Sequence, residues 1–471
     1  MNYSNAIEFI YGLQKFGLKL GLERITKIAH LLGNPQEHFH SIHIAGTNGK
    51  GSVSAMISFI LIEAGFKTGL YTSPHLVSFT ERIRIDNKAI TEQEIITLTI
   101  KLKTLLQEAL IDSTTFFEFV TALCFDYFKT NKVNCAVIET GLGGRLDATN
   151  ILRPKVSVIT KIGIDHAEYL GNTITKIASE KAGIIKEKIP VIVSKQEFPV
   201  IKILREKAQK ENAPIYIYED DFTAILREST IKGIRLDFKG PINLDNVYVP
   251  LCGRHQLENS STAIMAAFEY LRDKFEKDKI AHFISSGLSK VTWEGRLQFI
   301  SYNPPLLIDG AHNPQASQTL SEFIKNHLLE KSPDREVFFL IAIMSDKDIK
   351  GILSPLLPQS TWTVFTKVGY NRSAQPEELS SVASSLGFNN HETAVNVSEA
   401  LSKICLKAGY CISDYKKAMV NIQDSVLKVN EPVLIVTGSF YLIGEVLELL
   451  GKEAILRDLR EDFSISEANK K

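Results

Sequence analysis

The chain has 471 residues, 44% of them hydrophobic, and its 54 Lys and Arg are matched by 54 Asp and Glu. That length predicts two or three domains with more than one hydrophobic core. The charge balance excludes a global basic field for holding nucleic acid or an anionic membrane, so any anion site must be local. Strand-like and helix-like segments alternate along the chain, which argues for an α/β fold with mostly parallel sheets. Residues 5–32 read as helical. The apolar strand Ile42-His43-Ile44-Ala45 then runs into a Gly-rich turn and an amphipathic helix over 53–64. A second strand begins at 69–71, helices follow over 91–110 and 117–129, and the compact apolar runs 135–139 and 156–161 have the character of buried parallel strands. From about Pro190 the order is strand, helix over 200–212, strand, and then an alternating stretch, 223–251, that predicts a small antiparallel patch. Helix returns over 257–271. Residues 291–298 mark a domain junction, dividing the chain into 1–295 and 296–471. A second strand and helix series starts at Leu306-Leu307-Ile308 and closes with 433–436, leading over Gly438 into a helix over 442–450. No internal repeat or low-complexity tract is present, and the polar tail from Glu461 is expected to fray.

Five scattered cysteines, Cys124, Cys135, Cys252, Cys405 and Cys411, lack metal-ligand spacing and suit free thiols in a reducing compartment. The opening Met1-Asn2-Tyr3-Ser4 has no basic or apolar targeting region, and no stretch reaches the roughly 18 uninterrupted apolar residues of a membrane span. A cytoplasmic chain with neither nucleic-acid nor membrane partners is expected.

The segment Gly46-Thr47-Asn48-Gly49-Lys50-Gly51-Ser52 carries the plainest chemistry. Glycines let successive N–H groups converge on phosphate oxygens, the following helix adds its positive end, and Lys50 supplies a point charge. Ser52 is placed to reach a magnesium ion. The spacing departs from GxxxxGK[ST], because position 44 is isoleucine, and a Gly-rich turn between strand and helix is the alternative. Other chemical groups sit at strand ends, where such sheets place function. Glu139 ends the strand Ala136-Val137-Ile138, the position of a metal-holding acid, though singly it serves as well as a loop cap. His166 follows another buried strand; a lone loop histidine is as a rule solvated or hydrogen-bonded. Lys181 by itself reads as a surface helix charge.

Together these segments resemble one family along nearly the whole chain, the folylpolyglutamate synthases and dihydrofolate synthases, relatives of the Mur ligases. The resemblance also rests on Tyr71-Thr72-Ser73-Pro74-His75-Leu76, Glu81-Arg82-Ile83, residues 139–150, Gly163-Ile164-Asp165-His166, Glu180-Lys181-Ala182-Gly183-Ile184, Gly253-Arg254-His255-Gln256-Leu257-Glu258-Asn259, Trp293-Glu294-Gly295-Arg296 and Asp309-Gly310-Ala311-His312-Asn313-Pro314. In that family the irregular phosphate-loop spacing is normal. The resemblance implies an N-terminal P-loop ATPase-like domain with a mostly parallel sheet, a smaller C-terminal Rossmann-like domain, and an active site in the cleft between them.

It also implies a reaction. ATP phosphorylates a substrate carboxylate, the amino group of L-glutamate attacks the acyl phosphate, and an amide forms with loss of phosphate; such chemistry needs charge neutralisation more than a covalent nucleophile. By resemblance Gly49, Lys50, Gly51 and Ser52 hold the ATP phosphates. Ser73 and Glu139 bind one magnesium, and Glu139 and His166 help bind a second. Lys181 matches a lysine carbamylated in relatives, which turns a repelled ammonium into an oxygen ligand. Asn259 falls near adenine, Arg296 on phosphate, and Asp309 and His312 near ribose and phosphates; an interdomain salt bridge is the other role open to Arg296. Thr115, Phe117, Asp147 and Ala148 match a dihydropteroate pocket, although Phe116 and Phe117 serve equally as core residues. The expected protein is a monomeric, magnesium-dependent ligase adding glutamate to dihydropteroate and to reduced folates. A folylpolyglutamate synthase alone, or a nucleotide-binding regulator that has lost ligation, are the alternatives. A Mur-type cell-wall ligase fits less well, since the segments around Thr115 and Asp147 follow the folate branch.

Overall fold

The computed structural model describes residues 1–17, 21–419 and 426–452; the tail from Glu461 lies outside them. Among the described residues no helix is long and apolar enough to cross a membrane. The first sheet has eight strands: β1 (His40–Ala45), β2 (Thr68–Tyr71), β3 (Ile83–Ile85), β4 (Lys88–Ala89), β5 (Cys135–Glu139), β6 (Val156–Ile159), β7 (Val191–Val193) and β8 (Ile215–Ile217). Their order is β4-β3-β2-β5-β1-β6-β7-β8, parallel from β2 to β8, with β3 and β4 antiparallel at one edge.

The central strands β5, β1 and β6 are buried on both faces, which is why they read as continuous apolar runs rather than alternating ones. Helices Lys50–Glu63 and Gln256–Leu271 cover one face, and helices Glu92–Glu108 and Phe116–Thr130 the other. From β1 the chain passes to β2 and β5 on one side and later to β6 on the other. The sheet therefore reverses direction at β1, and a crevice opens beyond the carboxyl ends of β5, β1 and β6. Strands β9 (Thr223–Thr230), β10 (Gly233–Lys239) and β11 (Asn243–Val249) form the expected antiparallel patch.

The remaining strands are β12 (Gln298–Tyr302), β13 (Pro305–Asp309), β14 (Val337–Ile341), β15 (Trp362–Phe365), β16 (His391–Thr393) and β17 (Val433–Thr437). They build a second sheet in the order β12-β13-β17-β14-β15-β16, parallel except for β12. Here the series starts one strand earlier than expected, because an Asn303-Pro304 turn folds Gln298–Tyr302 back along β13 as an antiparallel edge. The expected helix over 5–32 is likewise broken: helix Tyr3–Gly12 passes into a 3-10 turn, Leu13–Phe16, that Gly17 ends at φ +61°, and helix Glu23–Leu31 begins afresh.

Helix Lys50–Glu63, which carries the phosphate loop at its start, is set by a close crossing with helix Lys277–Ser289. A Cβ on Gly287 would lie 2.6 Å from the Ile60 Cα. Gly287→Ala gains roughly 1 kcal/mol of helix propensity, but the contact is with backbone, and forcing two packed helices apart costs about 1–3 kcal/mol. The expected result is a net loss of about 1–2 kcal/mol, read as a lower urea midpoint for the variant.

Candidate active site

The crevice at the carboxyl ends of β5, β1 and β6 faces the carboxyl ends of β13, β14 and β17 across a cavity of 970 Å³. Gly49, Lys50, Gly51, Ser52, Ser73, Glu139, His166, Lys181, Asn259, Arg296, Asp309 and His312 all line it. A second cavity, of 80 Å³, is lined by Thr115, Phe117, Asp147 and Ala148 and shares Leu142, Gly143 and Leu170 with the first.

The phosphate loop is shaped by its glycines. Gly49 has φ +88°, the left-handed region, and a Cβ there would overlap Asn259 Oδ1, so the turn and the approach of helix Gln256–Leu271 both require glycine. The amides of Thr47 and Asn48 donate to Lys161 O, which fixes the loop against the segment after β6. Helix Lys50–Glu63 starts at Lys50, a full turn's worth of N–H groups earlier than the apolar pattern suggested, because Gly49 supplies the bend.

Glu139 ends β5, paired in register with Ile44, and is 4% exposed. Its Oε1 lies 3.7 Å from Lys50 Nζ, which also donates to Thr47 O at 3.3 Å. Its Oε2 is buried and meets no hydrogen-bond partner. Burial pushes the carboxyl pKa up to about 6, against the downward pull of Lys50, Arg296 and the Ser73 amide. Lys181 closes helix Ile174–Lys181, is 4% exposed, and donates from Nζ to Gly46 O at 2.6 Å. Burial, reinforced by the charge of Lys50, pushes its pKa down to about 7.

His166 has φ +49°, uncommon outside glycine, and its amide donates to Asp165 Oδ1 at 2.8 Å. Burial pushes its pKa down to about 3, opposed by the Asp165 charge. Asp165 pairs with Lys347 at 2.6 Å and with His312 Nε2 at 3.4 Å, both from the second sheet. Burial alone would raise its carboxyl pKa, yet the hydrogen bond from His312 and the charges of His166, His312 and Lys347 hold it well below the usual carboxylate range.

Asp309, at the end of β13, spends both oxygens on backbone: Oδ2 accepts from the Leu297 amide at 2.9 Å and Oδ1 from Ala311 at 3.0 Å. His312 Nδ1 donates to Gly310 O at 2.7 Å. Asn259 Nδ2 donates to Gln256 Oε1 at 2.9 Å, leaving Oδ1 against the phosphate loop. The Arg296 guanidinium lies 4.2 Å from the centre of the Phe440 ring, with Nη1 donating to Gly295 O at 3.2 Å. At the second cavity, Thr115 caps helix Phe116–Thr130, and its hydroxyl donates to Glu118 Oε2 at 2.8 Å in a capping box. Phe116 is core at 3% exposure, whereas Phe117 is half-buried and packs on Gly141.

Sequence reasoning assigned no role to Asn48, Gln315, Lys347 or Phe440. Asn313 Nδ2 donates to Asn48 Oδ1 at 3.0 Å, and Asn48 Nδ2 to Gln315 Oε1 at 3.2 Å, which ties the phosphate loop to the second sheet. Lys347 follows β14 and Phe440 follows β17; their position just beyond parallel strand ends was the available signal.

Two family models match the chain, the Mur ligase middle domain over residues 44–267 and the dihydrofolate synthetase C-terminal domain over 296–449. A Bacillus subtilis dihydrofolate synthase/folylpolyglutamate synthase is 32% identical over 457 residues, covering 95% of this chain and 99% of that protein. Among solved structures, Mycobacterium tuberculosis folylpolyglutamate synthase complexed with ADP has a TM-score of 0.85 at 29% identity, with 96% of this chain and 100% of that one covered. E. coli FolC in complex with DHPP and ADP has a TM-score of 0.78 at 28% identity, covering 96% and 98%. With strand-end chemistry, two facing sheets and a near full-length match in agreement, the chain belongs to the dihydrofolate synthase/folylpolyglutamate synthase family.

Proposed function

We propose that the chain is an ATP-dependent amide ligase that adds L-glutamate to dihydropteroate and to reduced folates. The observation that carries this is the convergence of the phosphate loop, Glu139 and Lys181 with Arg296, Asp309 and His312 around one cleft, beside a second cavity that shares its wall. ATP bound there would activate the acceptor carboxylate as an acyl phosphate. Gly49, Lys50, Gly51 and Ser52 would hold its phosphates, Asn259 would face adenine, and Arg296, Asp309 and His312 would complete the site. Asp309 would act there largely by shaping the turn, since its oxygens already hold two amides. Dihydropteroate would lie against Phe117 and Ala148, inside the wall that Asp147 anchors. The fold is divided, in this proposal, at 295/296, just before β12. A monomer in the cytoplasm is proposed too; five free cysteines, with Cys411 exposed, suit a reducing compartment.

Glu139 fits a divalent cation, because its buried Oε2 lacks any other partner. Among the described residues no group of three or more His, Cys, Asp and Glu could hold a metal ion, so a cation here relies on phosphate and water oxygens as well. We propose Ser73, Glu139, His166 and a carbamate on Lys181 as the protein groups for two magnesium ions. Bound magnesium would neutralise charge on the transferring phosphoryl group and the acceptor carboxylate. The carbamate forms when the neutral amine attacks carbon dioxide, making an N–C bond and releasing one N–H proton to solvent. Burial of Lys181 supplies that neutral amine near pH 7.

Assays with dihydropteroate and with tetrahydrofolate, side by side, test the reading: ATP turnover should require glutamate and either pterin. Turnover with tetrahydrofolate only would identify a folylpolyglutamate synthase, and turnover independent of acceptor a regulator. Lys50→Ala and Glu139→Gln should each lower kcat/KM by about 10²-fold or more, the loss expected when developing charge loses its partner, with an unchanged melting temperature. Near wild-type rates in well-folded variants would remove these residues from the site. Labelled bicarbonate should give a carbamate carbon signal in the wild-type chain that is absent from Lys181→Ala, whose low activity acetate should partly restore. A bare, well-ordered ammonium at Lys181 in a nucleotide- and magnesium-loaded crystal would rule the carbamate out.

A further inference from the structure

His43 lies in the middle of β1, fully buried, and nothing in the proposed reaction uses it. Its neighbours Ile42 and Ile44 are core residues, and its own Nδ1 is buried without a hydrogen-bond partner. An aliphatic side chain would avoid that cost, so packing does not account for the ring. Its Nε2 accounts for it better: it lies 2.8 Å from Thr149 Oγ1. Thr149 Oγ1 in turn lies 2.5 Å from Asp147 Oδ1, which also accepts from the Thr149 amide at 3.0 Å.

The direction of these bonds follows from what each group can do. A carboxylate only accepts, so the Thr149 hydroxyl proton points at Asp147 and the hydroxyl oxygen accepts from His43. The ring therefore carries its proton on Nε2. Burial keeps it neutral, with the pKa pushed down to about 3. The far oxygen of Asp147, Oδ2, accepts from the Leu142 amide at 2.8 Å, and the same residue caps the turn Ala148–Ile151. One carboxylate thus ties together the two ends of the segment 142–149, and residues 142–148 wall the second cavity.

We infer that His43, acting through Thr149, is a positioning residue for the pterin acceptor: it fixes the Asp147 carboxylate, and with it the wall 142–148, from the strand whose end carries the phosphate loop. The inference rests on the proposed reading of the second cavity as the acceptor site. An apolar strand position is in this way coupled to acceptor binding without touching the acceptor.

Steady-state kinetics of the full chain, with dihydropteroate or tetrahydrofolate as acceptor, test it. Thr149→Val, nearly isosteric, and His43→Leu should each raise the acceptor KM about tenfold or more, as loss of a hydrogen bond to a buried charged group does. KM for ATP should stay within about twofold, since the lost contact bears on one substrate only. Thr149→Ser and His43→Gln keep an O–H or N–H at similar reach and should restore the acceptor KM. In the double variant the two effects should not add, because both cut one chain. An unchanged acceptor KM in Thr149→Val, or a joint rise for acceptor and ATP that Thr149→Ser does not reverse, overturns the inference. Should His43→Leu fail to fold, the Thr149 pair decides alone. A wild-type chain that turns over neither acceptor would overturn instead the assignment of the cavity.

Discussion

The cleft withdraws charge from water before any substrate arrives, and the rest of the site is arranged around that fact. Burial raises the pKa of Glu139 to about 6 and lowers that of Lys181 to about 7. One cause moves the two groups in opposite directions because desolvation penalises whichever form is charged. Opposite charges nearby relieve each only in part. Lys50 stands 3.7 Å from Glu139, beyond hydrogen-bond reach, and the Lys181 amine is spent on a backbone carbonyl. In the proposed reading such a site is completed by what it would bind: phosphate oxygens for the loop and Lys50, a cation for Glu139, and carbon dioxide for Lys181. Its dipoles are already in place, so little reorganisation remains for the reaction to drive.

Topology explains why these groups meet. In a parallel sheet the loops after successive strands leave from one edge, and reversal of strand order at β1 opens a crevice there. The second sheet presents its own carboxyl edge to the first. Two kinds of contact tie the edges together. The Asn48–Asn313 amide pair is neutral and directional, and it acts on the phosphate loop itself. The Asp165–Lys347 pair is charged and largely buried, so its desolvation cost offsets much of its attraction; it fixes the relative placement of the sheets more than it stabilises them. Arg296, stacked on Phe440 where the two halves join, brings a guanidinium to the cleft from the junction.

Much of this was legible in the sequence, and the part that was not has a common origin. Continuous apolar runs located β5, β1 and β6, and residues at their ends located Glu139 and the phosphate loop, because both signals are local. The Asn48–Asn313 contact joins residues 265 apart, and nothing near either residue announces the other. Phe440 and Lys347 sit at strand ends of the second sheet, but without a glycine-rich turn to mark them. Thr115 shows the converse. Its Thr-x-x-Glu spacing is a helix start signal, and the structure uses the hydroxyl in that cap while the residue also lines the second cavity, so a local rule and the resemblance describe the same position. The expected helix over 5–32 is interrupted where Gly17 and Gly21 take positive φ, +61° and +138°, which a continuous helix does not allow.

The two cavities are not independent volumes. Gly141, two residues after Glu139, lines the first cavity, the wall of the second begins at the next residue, and Leu142, Gly143 and Leu170 face both. A displacement of that segment would therefore alter the second cavity, the proposed acceptor site, and the end of β5 together. Asp147 resists it by holding amides on both arms of the segment, and Thr149 and His43 carry that restraint into β1. Strand β1 continues directly into the phosphate loop, so the carboxylate that must be activated and the phosphate that activates it are referred to one rigid strand. For a reaction whose catalysis is largely positioning and charge stabilisation, a shared frame of this kind does what no single residue in the cleft could do.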